Sequence, residues 1–150
     1  MARQVNIRVE GLKDAREMVG DVGDRARRPE VALRSGAVLD ALHASERRRF
    51  SQPWRPGITR AWAARKRREG LDPRVMRATG ALERTLETGR PPAVTFRAWN
   101  GTLRWGLPAR SPVWYAAVQA KRGRKAVVID KQAKADIGGR VLVWIVEGRT

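Results

Sequence analysis

The chain opens on an alternation. In QVNIRV, Val5, Ile7 and Val9 fall on one side and Asn6 and Arg8 on the other, which predicts a half-buried strand over residues 4–9. Glu10-Gly11 ends it. Leu12, Ala15, Val19 and Val22 then recur at helical spacing. They predict a helix weakened by Gly20 and Gly23, at about 1 kcal/mol each relative to Ala. Pro29 suits the first turn of a second helix. The stripe of Val31, Val38, Leu42 and Ser45, with Leu39 and Ala41 beside it, extends that helix over residues 30–49, the longest expected. Its exposed side would carry Arg34, Asp40, Glu46, Arg47 and Arg48. Phe50 and the Pro53/Pro56 pair stop it.

Punctuation dominates the middle of the chain. Trp54 to Ile58 reads as a turn-rich connector, and Thr59 is a good N-cap for a short helix over residues 60–69, with Ala61, Trp62 and Ala64 as its less polar side. Thr79 caps another short helix, over residues 80–87, which places Leu82 and Leu86 four apart. The segment AVTFRAW-NG-TLRWGLP predicts a β-hairpin. Val94, Phe96 and Ala98 alternate before the turn, and Leu103, Trp105 and Leu107 alternate after it. Asn100-Gly101 is the favoured two-residue turn because both positions need positive φ. Residues 113–120 read as a short strand or a helical turn, and residues 126–129, AVVI, as a strand. The C-terminal stretch is ambiguous. Val141 to Val146 is a continuous apolar run that suits a buried strand, whereas Ala133, Ile137, Val141 and Ile145 fall four apart behind a possible Asp130 N-cap, with Gly138-Gly139 against a helix. The element order gives an α+β fold, long helices packed on a small antiparallel sheet with a central hairpin. A length of 150 residues fits one domain with its own core over residues 1–150.

Charge sharpens this picture. The net charge is +17, from 32 basic and 15 acidic residues, and Arg greatly outnumbers Lys. Such a chain needs a polyanion or acidic proteins beside it. There is no cysteine, which removes disulfides, thiol chemistry and Cys-based zinc sites. No apolar run is long enough to span a membrane. The opening MARQVNIRVEG has no signal-peptide core, so folding in a cytoplasm is expected.

Candidate chemistry is sparse. His43, the one histidine, has Asp40 and Glu46 at three-residue spacing, but a metal or acid–base site needs a further ligand that nothing marks. The plainer expectation is a histidine on a helix surface. No nucleophile motif and no phosphate-binding glycine loop is present, so neither a catalytic site nor a cofactor is expected. Of the six tryptophans, Trp105 and Trp144 read as core, while Trp54 and Trp62 stand in Pro- and Arg-rich surroundings. The basic helix after Thr59 carries Arg60, Arg65, Lys66, Arg67 and Arg68 with no Asn, Gln or Ser among them to address base edges. It reads as a sequence-blind positive surface for DNA backbone or an acidic protein.

The order of short motifs resembles that of a known family. VEGL (Val9–Leu12), RRF (Arg48–Phe50), WRPGIT (Trp54–Thr59), ATGAL (Ala78–Leu82) and YAAVQ (Tyr115–Gln119) occur in the order seen in the small tail-completion, or neck, proteins of Mu-like phages and siphophages, over about residues 5–146. The chain departs from that pattern at Val118, where the family often has His, and at Lys121, where it often has Gly. The resemblance implies a C-terminal helix beginning at Asp130. It also implies a structural virion protein: a closed, six-fold ring of copies at the head-proximal end of the tail, touching the tail tube and the head connector, with genomic DNA in the lumen and no membrane. The basic residues from Arg60 to Arg68 would then face DNA or acidic partner rings. Phe50, Trp54, Trp62, Leu82, Tyr115 and Gln119 would serve packing and interfaces. Asp21, Asp24, Glu30, Glu83 and Glu87 would offset repulsion between copies.

Overall fold

A computed structural model describes residues 12–150 except Pro56, Ala78 and Trp114. The strand expected over residues 4–9 lies outside the described residues. Among the described residues, seven helices and one two-stranded antiparallel hairpin make a mostly helical α+β arrangement: α1 (Leu12–Ala26), α2 (Glu30–Leu33), α3 (Gly36–Ser51), α4 (Arg60–Arg68), α5 (Ala81–Thr88), β1 (Thr95–Trp99), β2 (Thr102–Gly106), α6 (Tyr115–Lys121) and α7 (Lys131–Glu147).

The helix expected over residues 30–49 is broken. The chain leaves α2 after Leu33, and Ser35 becomes the N-cap of α3, its hydroxyl accepting from the backbone N–H of Val38 at 3.4 Å. A serine that satisfies an orphan N–H starts a new helix more cheaply than it continues an old one. The break frees Arg34 to fork onto the carbonyl of Ala98, with Nε at 3.0 Å and Nη2 at 2.7 Å, which ties the hairpin to the helix junction. Val31 is consequently exposed, while Val38, Leu42 and Ser45 are buried.

The hairpin follows its pattern. Thr95 pairs with Gly106 and Trp99 with Thr102, and Asn100 and Gly101 take φ of 44° and 70°. Ala98 is buried, and Phe96, Leu103 and Trp105 are half-buried beside it. The expected strand over residues 126–129 does not form. Its backbone polar groups are met by a helix side chain: the Ser45 hydroxyl donates to the carbonyl of Val128 and accepts from the N–H of Asp130, both at 3.0 Å. Residues 115–121, where the pattern allows either strand or helical turn, are helical. The C-terminal stretch is also helical. Asp130 caps α7 by accepting from the N–H of Ala133 at 2.7 Å, and Ala133 and Ile137 are buried. Arg48 grips the same carboxylate with two bonds, at 2.7 and 3.0 Å, so α3 and α7 are joined through one cap. Ser45→Ala would orphan a carbonyl and an N–H together. A loss of about 1–3 kcal/mol in urea titrations is expected.

Two apolar clusters result. One gathers Phe50, Trp54, Met76, Leu82, Leu86 and Val113 between α3, α5 and the start of α6. The other gathers Leu33, Val38, Ala41, Leu42, Ala98 and Ile137 between α2, α3, the hairpin and α7. Gly89 is required where α5 turns towards the hairpin, because a Cβ there would lie 2.1 Å from the carbonyl oxygen of Thr85.

Candidate partner-binding surface

Thr59 caps α4 as its sequence predicts, its hydroxyl accepting from the N–H of Trp62 at 3.3 Å. The helix faces the opposite way from expectation. Ala61 and Ala64 are exposed, and its one buried residue is Lys66. The Lys66 ammonium reaches inward to the carbonyl of Arg74 at 2.6 Å. Burial pulls its pKa down, with Asp72 acting against that shift. Lys66 is 6% exposed and therefore lies outside the positive surface assigned to it. An ammonium can be buried here because a fixed carbonyl accepts from it and its stem packs along apolar surface.

Arg60, Arg65, Arg67 and Arg68 stay on the outside. Arg65 bonds Glu69 at 2.7 Å and lies 5.0 Å from the centroid of the Trp62 ring. Arg60, Arg67 and Arg68 make no ion pair among the described residues. Trp62 is 50% exposed, a large ring held in place by a cation on one side and left open to solvent.

Beneath Trp62 runs a groove whose apolar floor includes Ile58, Leu71, Val75 and Tyr115. The groove continues past Gly57 and Gln119 to Arg122 and Arg124. Arg124 organises this end. Its guanidinium donates to Gln119 Oε1 at 2.7 Å and to the carbonyl of Gly57 at 2.6 Å, fixing the loop before α4 against α6. Gln119 thus acts by holding an arginine. Burial raises the pKa of the Tyr115 phenol. Glu69 lines the groove, and the carboxylate of Asp72, in the loop after α4, is held at about 2, chiefly by the Arg74 guanidinium.

Phe50 and Trp54 sit elsewhere, as core. Their rings meet edge to face at 5.4 Å, and Arg49 covers Trp54 at 3.8 Å. They pack mainly on α5 and the chain before α6, with Trp105 supplying the hairpin's share. Leu82 is fully buried. Trp105 and Trp144 are both half-buried. Glu83 is committed within the chain to Arg77, and Asp24 to Arg27 at 3.0 Å.

His43 and Glu46 depart furthest from expectation. The sequence pattern puts both on an exposed helix side, and both are buried. His43 Nε2 donates to the carbonyl of Gly89 at 2.9 Å, and its ring stands edge-on to Trp105. Glu46 Oε1 accepts from Trp105 Nε1 at 3.2 Å. Desolvation raises the Glu46 pKa to about 7 against the pull of Trp105, the Val128 backbone and Arg49. Only the excess of polar residues on every side of α3 could have hinted at this, since a helix this polar cannot be covered without turning some of them inward. No group of three or more metal-ligating side chains exists among the described residues. No helix among them is long and apolar enough to cross a membrane. No protein-family model, curated protein or solved structure matches the chain.

Proposed function

We propose that the chain is a structural neck protein of a tailed phage. Copies form a closed ring at the head-proximal end of the tail, complete the tail tube and join it to the head connector, with the packaged genome passing through. The observation that carries this reading is the order of VEGL, RRF, WRPGIT, ATGAL and YAAVQ along the chain. Three features of the structure support it. The exposed arginines of α4 suit a neighbour that is polyanionic but not read by sequence. Trp62 and the groove under it suit protein contact. The buried polar groups are engaged in packing: Glu46 bonds Trp105 of the hairpin, and His43 bonds the Gly89 carbonyl at the end of α5 with its ring edge-on to Trp105. A second reading, a sequence-blind nucleic-acid-binding protein, draws on the same helix.

Electron microscopy of particles carrying labelled protein separates the two. Density for a ring between head and tail supports the neck reading; label absent from particles, or found inside the head with the DNA, overturns it. The isolated chain is expected to bind duplex DNA weakly, without sequence preference and with steep salt dependence. Replacing Arg60, Arg67 and Arg68 by Ala should lower the slope of log affinity against log salt by about 0.9 for each phosphate that is no longer neutralised. A clear preference for one duplex sequence at physiological salt would contradict this surface.

A further inference from the structure

The first helix exposes an apolar face that the other described residues do not cover. In α1 every side chain from Asp14 to Asp21 is exposed. Yet Ala15, Met18, Val19 and Val22 form a single apolar stripe, with Met18 63% and Val19 67% exposed. Its C-terminal end is anchored: Arg25 donates from Nε to the carbonyl of Ile145 at 2.9 Å and from Nη2 to that of Val146 at 3.1 Å. Those are the open carbonyls at the end of α7, where a cation is also favoured by the helix dipole. The helix is thus an arm tethered at its C-terminal end, with an apolar face that no other described residue covers. Leu142 and Val146 on α7, four apart on one helix face, are exposed as well.

The arm differs from the body in charge. Residues 12–26 carry three basic and four acidic side chains, in a chain whose net charge is +17. Asp14 and Asp21, two turns apart, border the apolar stripe on the Met18 side and are both exposed. The groove under Trp62 has the complementary make-up. Its floor is mostly apolar, one end is rimmed by Arg122 and Arg124, α4 brings its arginines alongside, and the one acidic residue in the lining, Glu69, is paired with Arg65. An apolar stripe bordered by acid on one side fits an apolar groove with base at its rim.

We infer that the α1 arm of one copy docks in the groove under Trp62 of a second copy. Val19 and Met18 would cover the Trp62 ring, and Asp14 and Asp21 would face the arginines of the rim. The inference rests on the ring reading and deepens it. Arm and groove are different surfaces, so the contact is head-to-tail, the type that closes into rings or runs on as filaments. Placing a net-acidic helix of one copy on the most basic helix of the next also lowers the repulsion between identical chains.

The absence of cysteine makes the test direct. Full-length Val19→Cys and Arg122→Cys chains are mixed at high concentration and treated with a short bis-maleimide linker. The mixed pair should dominate over either homodimer. Asp14→Lys with Asp21→Lys in the Val19→Cys chain should cut the mixed product roughly three- to tenfold. Both positions are exposed, so circular dichroism should be unchanged. Dominance of Val19→Cys homodimers would mean that arms pair with arms and would overturn the proposal. Yields of the mixed product no higher than with Arg97→Cys, on the exposed hairpin face, would overturn it too. The neck reading fails separately: a strong mixed link in a protein absent from particles leaves the docking intact. Particles that carry the ring but give no link between positions 19 and 122 sink the docking alone.

Discussion

Trp54→Ala should cost about 3–5 kcal/mol of stability, the range for emptying a buried aromatic site. Trp54 is 7% exposed and sits where α3 ends and the Pro-rich connector begins. Phe50 meets its ring edge-on, Arg49 lies over it, and Met76, Leu82 and Leu86 belong to the same cluster. The flanking α3 and α5 are regular helices, so little can move in to fill the space. Urea titration should show the loss as a lower midpoint with the slope retained. The thermal midpoint should fall by roughly 10 °C at this chain length. Trp62→Ala is the control. Its ring is half open to water, so the same titration should move by less than about 0.5 kcal/mol. A Trp54 variant that behaved like the Trp62 variant would show that the connector is not part of the core.

Stability should decline as pH rises from about 4.5 to about 7, and Glu46 is the reason. Its folded pKa is raised to about 7 from an ordinary 4.5, mainly by desolvation. Between those values the folded chain holds a proton that the unfolded chain has released. Stability therefore falls as pH climbs through this window and levels off above it. A shift of this size corresponds to about 3 kcal/mol. The groups around the carboxyl are Trp105 from β2 and the Val128 backbone, which favour ionisation, Arg49 on the same helix, which does likewise, and Asp130, which opposes it. At lower pH the slope reverses. Asp72 and Asp130 are both held at about 2, chiefly by hydrogen bonds from Arg74 and Arg48 respectively. Their contribution is present above about pH 4 and disappears as pH falls towards 2. Chemical denaturation at pH 5, 6, 7 and 8 checks the upper limb. Glu46→Gln should flatten it whatever that variant's absolute stability. An unchanged slope in Glu46→Gln would assign the pH dependence to other groups.

The sequence by itself determined the elements whose signals are local. The hairpin follows from an alternating pattern on both sides of Asn100-Gly101, two residues that accept positive φ. Thr59 caps α4 because a side-chain oxygen one turn from an orphan N–H needs no tertiary help; Asp130 caps α7 in the same way, although the residues alone left that stretch open between strand and helix. Leu82 and Leu86 enter the core together because they share a face of α5. Tertiary structure decided what depends on which neighbour arrives. Ser35 interrupts a continuous apolar stripe because the break lets Arg34 hold Ala98. Residues 126–129 have strand-like composition but join no sheet among the described residues, and Ser45 accepts from the Asp130 N–H and donates to the Val128 carbonyl instead. Glu46, His43 and Lys66 look like surface residues in sequence. Each is buried because a distant partner, Trp105, the Gly89 carbonyl or the Arg74 carbonyl, meets its polar atom, and periodicity carries no trace of such partners. The basic character of α4 was legible from composition. Which of its cations face outward, and that an apolar groove lies beside them, were fixed by the turn of the helix against residues 71–76, an arrangement no local pattern encodes.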